Sequence, residues 1–203
     1  MFNQLVNPNG PPKLAGHLAD SVRGSRGCYR KRLARCQKKF SENAVHDLRI
    51  ETRRILALLD LLEALHFESM AKLRKTFKKR LDAFDDLRDT HVQRVLLKPL
   101  WAKFPEAHEF KKHLGKCEER LEREMSRKIK KNKCGGLNRK LKEIEKSLRE
   151  CASKAPTGEG VTQSQVLLGA AFRRFDIVRR QIQRSKPATI HRMRVAFKRF
   201  RYT

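Results

Sequence analysis

Long hydrophobic runs are missing from this 203-residue chain. No stretch approaches the ~18 uncharged apolar residues that a membrane-spanning helix needs. Its hydrophobic content of 39% is low for a globular protein and too high for a fully disordered one. The cysteines (Cys28, Cys36, Cys117, Cys134 and Cys151) are odd in number and lack a C-x-x-C spacing, which excludes a disulfide scaffold. They read as reduced packing thiols of a cytosolic protein. Aromatic residues make up 7% with Trp101 as the single tryptophan, too few for the stacking clusters that read single-stranded RNA. Prolines avoid the long segments and glycines follow no period, so the chain is not collagen-like. Acidic residues are the other shortage: 22 against 49 Lys and Arg leave a net charge of +27. Such an excess repels itself in the folded state and attracts polyanions at long range.

What is present is helical pattern. Pro8, Gly10, Pro11, Pro12 and Gly16 mark residues 1–16 as a flexible leader, without the basic and apolar regions of a signal peptide. Beyond it, apolar residues recur at three- and four-residue steps, which predicts helices over 18–40, 43–66, 69–98, 105–131, 137–152, 161–185 and 188–203. Ser41 is placed to cap the second, Pro99 and Pro105 bracket a break, and Lys186-Pro187 ends the sixth. Residues 153–160, Ser-Lys-Ala-Pro-Thr-Gly-Glu-Gly, have linker composition and divide a domain over 17–203 into a first half, 17–152, and a second, 161–203. With no β-type alternation, the fold class is all-α, an up-down helical bundle by default.

One motif occurs twice. Val45-His46-Asp47-Leu48-Arg49-Ile50-Glu51-Thr52-Arg53-Arg54 aligns with Ile190-His191-Arg192-Met193-Arg194-Val195-Ala196-Phe197-Lys198-Arg199, 145 residues later. On a helix at about 100° per residue, His46, Arg49 and Arg53 fall in one stripe covering about 10 Å of axis. Val45, Leu48, Ile55, Leu56 and Leu59 lie beside that stripe, so the cations border the core face. The second copy repeats this with His191, Arg194 and Lys198 beside Ile190, Met193, Phe197 and Phe200, and Arg201 and Tyr202 extend its basic edge. Cations in these positions commonly lay their stems on the core and their heads in water. Recurrence of the same types at the same helical phase points further, to pseudo-two-fold symmetry and a shared groove. Guanidinium groups bind phosphate oxygens bidentately and histidine adds donors, so cations spaced every turn along two helices suit a linear polymer of phosphates.

The two segments resemble the signature helices of the CHAD (conserved histidine α-helical domain) family, a likeness that extends over roughly residues 18–203. Phe84-Asp85-Asp86-Leu87-Arg88-Asp89-Thr90-His91-Val92 is similar to a third family segment, L-G-x-x-R-D-x-D-V, but has Asp85 in place of glycine and His91 in place of aspartate. The resemblance implies two pseudo-symmetric four-helix bundles around a basic central groove that binds inorganic polyphosphate, often at polyphosphate granules. Matched to the motifs, the ligand-contacting residues are His46, Arg49, Arg53 and Arg54 with His191, Arg194, Lys198 and Arg199; Arg201 and Tyr202 are also typical. The family continues past R-Y with further helices. The second bundle is therefore expected to be incomplete, with Phe172, Phe175, Phe197 and Phe200 partly uncovered and prone to self-association.

No P-loop, G-x-G-x-x-G or nucleophile elbow is found. His108 with His113, His113 with Cys117, and the even spacing of Cys117, Cys134 and Cys151 fit no zinc pattern. Neither a metal nor a cofactor is expected, and Asp82, Asp85, Asp86 and Asp89 are expected in salt bridges. The reading is a non-catalytic, cytoplasmic polyphosphate-binding protein. The alternatives are a non-specific nucleic-acid-binding helical protein, held by counterion release, and an interaction scaffold.

Overall fold

The computed structural model describes residues 12–65, 70–101, 103–131, 135–154 and 160–202, without the side chains at 12, 13, 130, 131, 154, 160–167, 170, 199 and 202. These residues form eight helices: α1 (Pro12–Lys38), α2 (Glu42–Ala64), α3 (Ala71–Asp82), α4 (Asp85–Leu97), α5 (Ala107–Lys131), α6 (Gly135–Lys154), α7 (Gly160–Arg180) and α8 (Pro187–Tyr202). No strand occurs among them. The fold is all-α.

Three corrections to the helical pattern follow. Helix α1 begins at Pro12, a residue suited to the first turn because its missing N–H needs no partner there; the last residues of the expected leader are thus helical. The segment expected as one helix over 69–98 is two. The chain turns at Ala83 and Phe84, and Phe84 swings inward, buried within 6.4 Å of Phe40. Within the expected linker, Ser153, Lys154 and Gly160 are helical, and 155–159 lie outside the described residues.

The core is built from the first six helices. Leu18, Val22, Tyr29, Leu33 and Cys36 line one face of α1 and meet Val45, Leu48, Ile55, Leu59 and Leu62 of α2. Leu137, Leu141 and Leu148 of α6 close the other side, with Phe77, Leu87, Met125 and Ile129 contributed by α3, α4 and α5. Helices α1 and α6 run antiparallel, as two charged pairs show: Arg26 with Glu145 at 2.9 Å and Arg149 with Asp20 at 2.8 Å. Tyr29 stands edge-on to Phe77 at 5.3 Å between ring centroids, a favoured aromatic geometry.

Helices α7 and α8 form a hairpin outside this core. Phe175 stacks on Phe200 at 5.8 Å and tilts against Phe197 at 5.6 Å, while Phe172 meets Phe200 edge-on at 5.8 Å. Thr189 secures the turn: its Oγ1 accepts from Gln183 N at 3.0 Å and sits 2.8 Å from the Lys186 carbonyl. It is the only buried side chain among the described residues of α7 and α8. Phe172 and Phe197 remain 49% and 46% exposed, the uncovered aromatic face expected from the sequence. The hairpin reaches the rest of the molecule through α8 against α2 and α7 against α1.

Candidate functional site: two contacting motif helices

Ser41 starts α2 by accepting a hydrogen bond from Ala44 N at 3.4 Å, and Glu42 complements the helix dipole in its first turn. This phase buries Val45, Leu48, Ile55 and Leu59 and part-buries Leu56. His46 and Arg54 are therefore exposed, with Arg53 half-buried between core and solvent.

Arg49 departs from an open stripe. It is only 8% exposed, and its guanidinium donates to the Leu81 carbonyl at 2.9 Å and pairs with Asp85 at 2.6 Å. Leu81 lies in the last turn of α3, where its carbonyl also accepts from Phe84 N at 3.2 Å, and Asp85 opens α4. Arg49 thus fastens α2 to the corner between two helices, which is also why a single helix over 69–98 is replaced by a bend. Arg54 is held as well. Its partner, Glu51, is a buried carboxylate that takes Arg54 and Arg32 at 3.3 Å each. Arg32 also donates to the Asp47 carbonyl at 2.9 Å, and Arg35 pairs with the Asp47 side chain at 3.3 Å. The motif reading missed Asp47, Glu51, Arg32 and Arg35, whereas Asp85 makes the kind of salt bridge expected of it. The available signal was that Asp47 and Glu51 are one turn apart and replaced by Arg192 and Ala196 in the second copy.

Helix α8 differs. Its sequence, PATIHRMRVAFKRFRY, contains no acidic residue. His191, Arg194, Lys198 and Arg201 are all exposed, as is Arg192. Among the described residues, no carboxylate approaches Arg192, Arg194 or Lys198 within ion-pair distance. The side chains of Arg199 and Tyr202 lie outside the described residues, although both positions are helical. The apolar neighbours of this stripe are also open, with Ile190, Val195 and Phe197 exposed and Met193 and Phe200 half-buried.

The two motif helices, 145 residues apart in sequence, come into direct contact. A paired-helix, all-α domain rich in cations is the class these features define. The CHAD domain family matches residues 26–203, and the chain belongs to that family. No curated protein matches the chain. None of its described helices is long and apolar enough to cross a membrane.

A second group of chemically capable side chains lies between α4 and α5. His91 is 2% exposed, and its Nε2 lies 3.1 Å from Glu118, which also pairs with Arg94. Glu122, one turn beyond Glu118, completes a set whose ligand atoms all lie within 4.8 Å of one another. Burial lowers the pKa of His91, and Arg88 lowers it further. Burial raises that of Glu122 against the pull of Lys39 and Arg94. The nearby thiol of Cys36 is pushed up to about 12, chiefly by burial and then by Glu122, and is an inert core group. The His and Cys spacings weighed in the sequence do not include this set, because helix packing joins residues 27 and 31 positions apart.

Proposed function

We propose that the chain binds inorganic polyphosphate, without catalysis, along a basic groove between α2 and α8. The single observation that carries this reading is the contact between the two motif helices, one of which presents exposed cations with no acidic residue of its own. A flexible chain of phosphates would lie on His191, Arg194, Lys198, Arg199 and Arg201 of α8, with Tyr202 at its end and His46, Arg53 and Arg54 supplied by α2. Arg49 is proposed to support the site by holding α2 in place while matched to Asp85. Pseudo-symmetry of the two halves, a cytoplasmic location and recruitment to polyphosphate granules belong to the same reading. The exposed Phe172 and Phe197 support its other element, self-association through α7 and α8.

Competition binding tests it. Long-chain polyphosphate should displace labelled duplex DNA at a far lower phosphate concentration than DNA itself. The triple replacement His191→Ala, Arg194→Ala and Lys198→Ala should weaken polyphosphate about 100-fold, as three contacts of ~1 kcal/mol each would. Equal loss of both ligands, scaling only with charge removed, would instead support non-specific nucleic-acid binding, the reading favoured by the net charge of +27. Salt dependence cannot separate the two, since both predict a steep slope.

A further inference from the structure

Among the described residues, His91, Glu118 and Glu122 form the one cluster of metal-ligating side chains outside the proposed polyanion site. Helix α4 supplies the imidazole. Helix α5 supplies both carboxylates, one turn apart and therefore on one face. We propose that these three residues bind a divalent transition-metal ion such as zinc.

Four observations carry the proposal. His91 is 98% removed from solvent, yet neither ring nitrogen makes a hydrogen bond. A buried imidazole without partners is an unsatisfied ligand aimed into the cluster. Its Nε2 lies 3.1 Å from Glu118 Oε1, without the alignment of a hydrogen bond. Two donors bound tetrahedrally to one zinc ion at ~2.0 Å are about 3.3 Å apart, so these atoms are already spaced as neighbouring ligands. Arg94 takes the other oxygen of Glu118, Oε2, leaving Oε1 for an ion and holding the carboxylate in orientation, as outer partners of metal ligands do. Finally, with Arg94 counted against Glu118, Glu122 still brings one further carboxylate toward a cation.

The donor set selects the ion class. Magnesium and calcium favour six or more oxygen ligands, whereas one imidazole with two carboxylates suits zinc or cobalt(II) with water in the remaining position. Glu122 also lines a surface depression with Lys39, Phe40 and Ser126.

The test uses the full chain, freed of metal with a chelator and titrated with zinc by calorimetry and with cobalt(II) by visible absorption. The expected result is one ion per chain, with a low-symmetry cobalt band that zinc abolishes. Glu122→Gln, a half-buried position where the fold can be verified by circular dichroism, should weaken zinc at least 10-fold. His113→Ala should leave binding unchanged, although it removes a surface pair in which His113 Nε2 lies 3.4 Å from Cys117 Sγ. Absence of stoichiometric zinc binding overturns the proposal. So does binding that survives Glu122→Gln and disappears with His113→Ala.

Discussion

Helices α2 and α8 carry the same residue types in the same order, and their surroundings make them different objects. Around α2, the apolar neighbours of the motif are core residues and its cations meet Glu51 and Asp85. Around α8, the corresponding apolar residues are half-buried or exposed and the helix has no acid at all. A repeated sequence therefore does not imply repeated energetics. Substitutions in the first copy should act mainly on stability, and those in the second mainly on binding.

The largest expected contrast is at the apolar partners. Leu48→Ala empties a core position and should cost about 3 kcal/mol, against under ~1 kcal/mol for the half-buried Met193→Ala. Next come the paired arginines. Arg49→Met removes the buried guanidinium that ties α2 to the Leu81 carbonyl and to Asp85, and should cost about 2 kcal/mol. Arg194→Met, on an exposed face, should stay within about 0.5 kcal/mol. Urea denaturation of each pair checks this, and equal losses within a pair would break the distinction. Ser41→Ala removes the cap of α2 and should cost about 1 kcal/mol by the same assay.

Two smaller tests sharpen the picture without large changes in stability. Replacing Phe172 and Phe197 by serine should abolish any concentration-dependent rise in mass seen by light scattering. The Cys36 thiol, raised from 9.0 to about 12, holds roughly a thousandfold less thiolate at pH 8 than it would unfolded. Cys28 is exposed. Under native conditions alkylation should therefore modify Cys28 at least 100-fold faster than Cys36, and the two rates should converge in denaturant. Mass spectrometry of timed samples reads both.

Much of this was legible in the sequence because helical periodicity is local. The stripe of Val45, Leu48, Ile55 and Leu59 forms the core face that its spacing implies, and Ser41 caps where its type and position suggest. The bend at Phe84 was not legible, since no proline or glycine marks it. It depends on Phe84 meeting Phe40, 44 positions away, and on Arg49 reaching Leu81 from another helix. The same limit hid the matching of Arg49 and Arg54. Spacing tells which side chains share a face; only packing tells which carboxylate arrives opposite them. His91, visible in sequence as a departure from the family segment, acquired a chemical context only when α4 and α5 brought Glu118 and Glu122 beside it.

Hydrogen–deuterium exchange of the chain saturated with long-chain polyphosphate, compared with the free chain, addresses the paired-helix site most directly. The account predicts protection concentrated on residues 187–202 with a second patch within 42–64, and no comparable change over the end of α5, which carries Arg127, Lys128, Lys130 and Lys131. Protection spread evenly over every basic helix, or absent from α8, would contradict it.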